Sequence, residues 1–177
     1  MKKTFALTIA CAVAVFTFAQ DAAKKTAPSP ASTKDNATPP AIPVTAAVVT
    51  APFVLKDGVL SQPGTTELAT GGKAVITFSV PKAGDYVILA VASAADEESN
   101  SFFLNIDGQP EDPLGVWDIE VTNGFEERVV GWRGTGDSTA PEFAPKVFKL
   151  TAGEHKLNLV GREPAQLKSV TIVAMTK

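Results

Sequence analysis

Cysteine and histidine are almost absent from this sequence. Among its 177 residues, Cys11 is the only cysteine and His155 is the only histidine. Because Cys11 lies in an N-terminal stretch that we predict to be removed, the mature chain can form no disulfide. Zinc sites and Cys/His catalytic pairs are also excluded, since each needs more of these side chains. The fold must therefore be stabilised by its hydrophobic core.

A long apolar span is lacking as well. Met1–Lys3 is basic, residues 4–18 are apolar without charge, and Thr17-Phe18-Ala19 provides small residues for cleavage. This pattern predicts a secretory signal peptide at residues 1–19, and its apolar part is too short to span a membrane. A lipoprotein signal at Cys11 is disfavoured because no leucine stands in the usual position before it. We expect a secreted protein, whether periplasmic, extracellular or at the cell surface.

Positive charge is in deficit. Taking Lys2 and Lys3 from the 16 basic residues leaves 14 against 19 acidic ones, a net charge of −5 for the exported chain. This balance argues against nucleic acid or an anionic membrane as the partner.

Aromatic residues are missing from residues 21–52, which hold six of the 13 prolines. We predict a disordered linker over residues 20–52, although residues 47–49 could pair onto the domain as an edge strand.

The rest of the chain shows no sustained helical period. Residues 74–80 place Ala74, Ile76 and Phe78 on one face, and similar alternating runs recur at intervals of about 8–12 residues, as in all-β sandwiches and barrels. Three strands close the chain between residues 143 and 175, with a reversal at residues 151–154, and residues 81–85 predict another hairpin connection. We predict an all-β jelly-roll sandwich over residues 53–177, large enough for one core.

Several segments resemble a known family. They are residues 71–87 (Gly-Gly through Pro-Lys-Ala-Gly-Asp-Tyr-Val), residues 100–108 (Asn-Ser-Phe-Phe-Leu-Asn-Ile-Asp-Gly), residues 149–157 and Gly161-Arg162-Glu163. Their order is similar to that in galactose-binding-like β-sandwiches, particularly carbohydrate-binding modules of families 6 and 35 and related secreted bacterial domains. The resemblance implies a non-catalytic module that binds a polysaccharide or other glycan. The structural calcium of such modules is not expected, because Lys56 and Lys168 stand where acidic ligands would lie.

Sugar recognition combines flat aromatic faces with a few planar polar groups. The residues predicted to bind the ligand on this basis are Asn100, Trp117, Asp118, Trp132, Arg133, Arg162 and Glu163. Each part has a structural alternative: both tryptophans could lie in the core, and Arg162 with Glu163 could form an ion pair that braces a loop. Phe103 points away from Phe102 and could mark an exposed contact patch.

Catalysis is not expected, and no cofactor or metal is predicted. A catalytic triad would have to be built on His155, which we place in an exposed turn, and the acidic residues occur mostly as adjacent pairs in loops rather than as facing carboxylates. A second class of function is a structural or adhesive module of the cell envelope that binds other proteins and has no sugar site. Exposed tryptophans in one concavity would favour sugar binding, and buried ones would favour the interaction module.

Overall fold

The computed structural model of the protein describes residues 39–176. The predicted signal peptide and residues 20–38 of the predicted linker lie outside the described residues. The described residues form strands β1–β12 and a 3₁₀ turn at Val44–Ala46. The strands are β1 (Ile42–Pro43), β2 (Val48–Thr50), β3 (Val54–Lys56), β4 (Val59–Ser61), β5 (Lys73–Val80), β6 (Gly84–Ser93), β7 (Ser101–Ile106), β8 (Val116–Asp118), β9 (Glu126–Val129), β10 (Phe148–Leu150), β11 (Gly153–Gly161) and β12 (Gln166–Ala174).

Two antiparallel sheets face each other. The first follows the order β10-β6-β12-β4-β3, with β1 paired to β12 and β9 paired to β6. The second follows the order β2-β5-β11-β7-β8. The predicted all-β sandwich is therefore confirmed. Ordered β-structure begins at Ile42, before the predicted domain start at residue 53, and β2 pairs with β5 as an edge strand.

Period-two alternation places the core between the sheets. Ala74, Ile76 and Phe78 of β5 are buried, as predicted, against the alternate residues of β6 from Tyr86 onward. In β12 the register shifts between Leu167 and Ser169. This bulge adds one residue, so that Leu167 and Val170 are both buried despite their odd spacing.

Two predicted hairpins prove to be connections between the sheets. Residues 81–83 join β5 of the second sheet to β6 of the first, and residues 151–152 join β10 of the first sheet to β11 of the second. The predicted strands are present, but their predicted hairpin pairing is wrong. Glycine and proline signals mark where the chain turns; the pairing partner depends on which sheet has a free edge beside the next strand.

Phe103 is buried, so the alternative in which it marks an exposed contact patch does not hold. It belongs to a small cluster with Val116 and Val160 on the outer face of the second sheet, and Leu68 packs against this cluster. Leu68 lies in the connection between β4 and β5. A loop residue thus covers a face that the alternation pattern alone assigns to solvent.

Candidate functional site

The connection between β9 and β10 folds back on itself as an irregular hairpin, here named the 130–146 hairpin. Its arms are joined by backbone hydrogen bonds from Lys146 to Val130 (2.8 Å), from Trp132 to Ala144 (3.0 Å) and from Phe143 to Trp132 (3.1 Å). A Cβ atom on Gly131 would lie 2.8 Å from the carbonyl group of Phe143. Glycine therefore allows the two arms to approach this closely.

The tip of the hairpin is held by one carboxylate. Asp137 accepts hydrogen bonds from the Thr135 hydroxyl at 2.6 Å, from the Thr139 hydroxyl at 2.5 Å and from the Ala140 backbone N–H at 3.1 Å. These donors, above all the Thr135 hydroxyl, hold the pKa of Asp137 well below its usual range. The tip therefore keeps its shape without packing into the core.

Neighbouring residues in an extended arm point to opposite faces. Trp132 and Arg133 consequently line different depressions on the two sides of the hairpin. The depression on the Arg133 side, named the hairpin cleft, has a volume of about 280 Å³. Its lining residues are Glu97, Asn100, Asp118, Arg133, Glu142 and Phe143. The structure thus brings together three of the predicted binding residues: Asn100, Asp118 and Arg133.

Asp118 and Arg133 form a two-pronged ion pair at the wall of the cleft. The Nε of Arg133 donates to Oδ2 of Asp118 at 2.7 Å, and its Nη2 donates to Oδ1 at 2.8 Å. These hydrogen bonds raise the pKa of Arg133 above its usual value. Asp118 is buried, whereas Arg133 is exposed. The carboxylate therefore orients the guanidinium, whose remaining N–H groups have no partner among residues 39–176.

Asn100 lines the cleft, and hydrogen bonds of its backbone hold it there. Its N–H donates to Oε2 of Glu163 at 3.3 Å, and its carbonyl oxygen accepts from the N–H of Ile119 at 2.7 Å. The residue is 9% exposed, and its side-chain amide has no hydrogen-bond partner within the described part of the chain. An amide without a protein partner has its hydrogen-bonding capacity available to a bound molecule or to water.

Arg162 and Glu163 lie behind the cleft and do not line it. Glu163 accepts a hydrogen bond from the Ser101 hydroxyl at 2.6 Å, and Arg162 donates to the same hydroxyl at 2.6 Å while also pairing with Glu163. The prediction that these two residues contact ligand is therefore corrected. They form the bracing ion pair that was the structural alternative, and they fix the start of β7 below Asn100.

Trp117 is not a surface residue, and its predicted stacking role is wrong. It is 1% exposed, and its ring lies 5.7 Å from that of Phe102 in the core. Its indole Nε1 is buried without a hydrogen-bond partner in the described structure. Because adjacent strand residues point apart, placing Asp118 at the cleft necessarily directs Trp117 inward.

Trp132 is half-buried on the opposite side of the hairpin, and its ring face is covered. The Nζ of Lys146 lies 3.7 Å from the centre of the Trp132 ring and 5.1 Å from that of Phe148. Burial lowers the pKa of Lys146 to about 8. The depression on this side is smaller, about 190 Å³. The structure therefore does not bring Trp132 together with Arg133 in one site.

His155 is buried in β11, which corrects the predicted exposed turn. Its Nδ1 lies 2.6 Å from Oδ2 of Asp107, and its Nε2 lies 2.8 Å from the carbonyl oxygen of Thr151. The hydrogen bond with Asp107 raises the pKa of His155. With both ring nitrogens occupied, His155 has none left to accept a proton from a serine.

Phe143 and the two glutamates of the cleft were not predicted as site residues. Phe143 is 37% exposed and has a φ of 57°, in the left-handed region that a bulky side chain rarely adopts. The available signal was its position: it is the only aromatic residue in a loop (134–145) rich in glycine, serine, threonine and proline. Glu97 and Glu142 carried no comparable signal.

Among residues 39–176, no group of three or more histidine, cysteine, aspartate or glutamate side chains is arranged to hold a metal ion. No helix in the same range is long and apolar enough to cross a membrane.

The solved structures with a similar fold include carbohydrate-binding modules. A family 35 module from Clostridium thermocellum aligns over 78% of this chain and 100% of its own, with a TM-score of 0.54 and 11% identity. The C-terminal family 6 module of a laminarinase from Zobellia galactanivorans aligns over 76% of this chain and 98% of its own, with a TM-score of 0.52 and 12% identity.

A GH26 β-(1,4)-mannanase from Podospora anserina that carries a family 35 module aligns over 79% of this chain, with a TM-score of 0.53 and 14% identity. The chain spans 28% of that enzyme's length. No protein-family model and no curated protein matches the sequence. At these identities the likeness establishes the fold, and the predicted resemblance to the family 6 and family 35 sandwiches is confirmed.

Proposed function

We propose that this chain, whose fold is that of family 6 and family 35 carbohydrate-binding modules, is a non-catalytic module that binds a glycan in the hairpin cleft. The observation that carries the proposal is the composition of the cleft: an exposed aromatic ring, Phe143, beside two planar polar groups, the guanidinium of Arg133, which Asp118 orients, and the side-chain amide of Asn100. Aromatic area with a few placed hydrogen-bonding groups is the combination that a sugar ring requires.

Each of these side chains has a distinct role in the proposed complex. The Phe143 ring packs against the C–H face of a sugar, and the amide of Asn100 can both donate to and accept from hydroxyl groups. Arg133 donates through the N–H groups that Asp118 leaves free. Because the Arg133–Asp118 pair and the backbone of Asn100 are already fixed, little conformational entropy is lost when the ligand binds.

The proposed function does not include hydrolysis of the bound sugar, although two further carboxylates, Glu97 and Glu142, line the cleft. His155 has both ring nitrogens engaged. Both carboxylate oxygens of Asp118, the buried acid at the cleft, already accept hydrogen bonds from Arg133. A chromogenic glycoside assay should therefore show no turnover by the purified protein. Export through a signal peptide at residues 1–19, to the periplasm, the cell surface or the medium, is part of the same proposal.

A glycan array tests the site. We expect wild type to bind, and Phe143→Ala and Asn100→Ala to lose at least tenfold in affinity while their thermal stability changes little. Phe125→Ala is the matched control, because Phe125 is a loop phenylalanine covered by Lys168, 3.9 Å from its ring centre, and does not line the cleft. Binding that survives both cleft substitutions, or no glycan binding by wild type, would refute the proposal.

A second candidate is an envelope module that binds other proteins. Two observations favour it. Trp117 is buried and does not share a concavity with Trp132, so the exposed pair of tryptophans that would favour sugar binding is not found among the described residues. In addition, Val48 on edge strand β2 is 72% exposed, and Val54 on edge strand β3 is also exposed. Open strand edges pair readily with other chains. Capture of envelope proteins by wild type but not by a Val48→Lys variant, without any glycan binding, would favour this function.

A further inference from the structure

The hairpin cleft carries uncompensated negative charge. Of its three carboxylates, Asp118 is neutralised by Arg133. The side chains of Glu97 and Glu142 make no ion pair and no hydrogen bond with any residue between 39 and 176. Two negative charges therefore face a depression of about 280 Å³ whose single cation is already paired. A negatively charged sugar would be repelled there, and a positively charged one attracted.

The acidic side chains do not stand alone. Asn100, more than nine-tenths buried, lines the same cleft with its side-chain amide unpartnered within the described residues. An amide carbonyl oxygen and two carboxylates are the acceptors that an ammonium group requires for its three N–H donors. The Phe143 ring at the rim adds a face on which the cation can lie.

From this arrangement we infer that the ligand of the hairpin cleft is an amino sugar, that is, a glycan that carries free, positively charged amines. The inference rests on the proposed glycan-binding function and narrows it to a ligand class. Glu97 and Glu142 attract the ammonium group, Asn100 accepts a hydrogen bond from it, and Phe143 packs against the ring that carries it. Carboxylated sugars such as uronates are rejected by the same two glutamates.

A matched series of β-1,4-linked tetrasaccharides tests the inference by isothermal titration calorimetry. The series comprises the glucosamine, N-acetylglucosamine, glucose and glucuronate tetramers. Titrations at a pH of about 6 keep the glucosamine amines charged, since amines of this kind lose their proton above about pH 7. We expect the glucosamine tetramer to bind at least tenfold more tightly than either neutral tetramer, and the glucuronate tetramer to bind most weakly. Raising the salt concentration should narrow these differences.

The double variant Glu97→Gln, Glu142→Gln locates the effect. It keeps the shape of the cleft and removes both charges, so the preference for the glucosamine tetramer over the neutral tetramers should vanish. Glu127→Gln is the matched control, because Glu127 lies in β9 and does not line the cleft. This variant should keep the wild-type preference.

Tetralysine separates sugar recognition from general attraction of a cation to an acidic protein, and we expect it to bind at least tenfold more weakly than the glucosamine tetramer. Equal binding of tetralysine, equal binding of the amine and neutral tetramers, or a preference that persists in the double variant would overturn the inference. If neutral tetramers bind without any preference for amines, only this inference falls. If no tetramer binds, the inference falls, and the proposed function falls with it only if the glycan array also shows no binding.

Discussion

Replacing Trp117 distinguishes a core tryptophan from a binding one. The side chain is 1% exposed, and its indole N–H has no acceptor in the described structure. Truncation of a buried tryptophan to alanine costs roughly 3–5 kcal/mol through lost burial and the cavity that remains. Since domains of this size are stable by about 5–15 kcal/mol, Trp117→Ala should remove a large part of the free energy of unfolding.

Trp117→Phe should behave very differently. The smaller ring leaves a cavity of roughly 40 Å³, which at about 24 cal/mol per Å³ costs about 1 kcal/mol, and the lost apolar area costs a similar amount. Against this, the substitution removes a buried N–H whose missing hydrogen bond costs about 1–3 kcal/mol. The two effects nearly cancel, so the variant should unfold within about 1 kcal/mol of wild type.

Urea denaturation followed by far-ultraviolet circular dichroism measures both variants without depending on tryptophan emission. Glycan binding by Trp117→Phe should equal that of wild type, because the ring does not reach the cleft. A loss of less than about 1 kcal/mol in Trp117→Ala would show that the ring is not in the core. A loss in Trp117→Phe as large as in Trp117→Ala would show that the N–H has a partner.

Three other predictions concern groups around the sandwich. The hydrogen bond with Asp107 raises the folded-state pKa of His155. The His155–Asp107 pair should therefore stabilise the fold fully below about pH 6.5, and this stabilisation should be lost as the pH rises through the raised pKa. The difference in unfolding free energy between wild type and His155→Gln measures it, and a difference that grows with pH would contradict the pairing. With a pKa of about 8 for Lys146, the emission of Trp132 should change with a midpoint near pH 8, and Lys146→Met should abolish this transition; an unchanged titration would show that the amine does not cover the ring. Glu163→Ala should lower the free energy of unfolding by about 2 kcal/mol, since a buried hydroxyl and a buried N–H at the start of β7 lose their acceptor; unchanged urea denaturation would rule out this bracing role.

The positions of the strands could be predicted from the local sequence pattern, but the strands with which they pair could not. The alternation in β5 depends only on which side chains are apolar, so residue type and spacing were enough to assign Ala74, Ile76 and Phe78 to the core. The connections at residues 81–83 and 151–152 carry ordinary turn residues, yet each passes between sheets. Turn chemistry is local, whereas the choice of sheet depends on strands distant in sequence.

The candidate site shows the same division. Asn100, Asp118 and Arg133 were predicted and do line one cleft, whereas Trp117 and Trp132 were predicted beside them and do not. The pairing of each tryptophan with a polar neighbour suggested one shared site. In an extended strand, however, neighbouring side chains point to opposite faces, so a tryptophan and the polar residue next to it lie in different places.

The sequence by itself determined that the chain is built of strands, that no disulfide can form within it because Cys11 is its only cysteine, and which faces of the long strands are buried, since all of these depend on residue type and spacing. Only the tertiary structure decided which face of β8 and of the 130–146 hairpin meets the cleft, and that Phe143, Glu97 and Glu142 join Asn100 there. These residues come from two loops that are far apart in the sequence. The two loops lie side by side only because of how the two sheets pack and how the hairpin closes at Gly131, and a local sequence pattern does not reveal either arrangement.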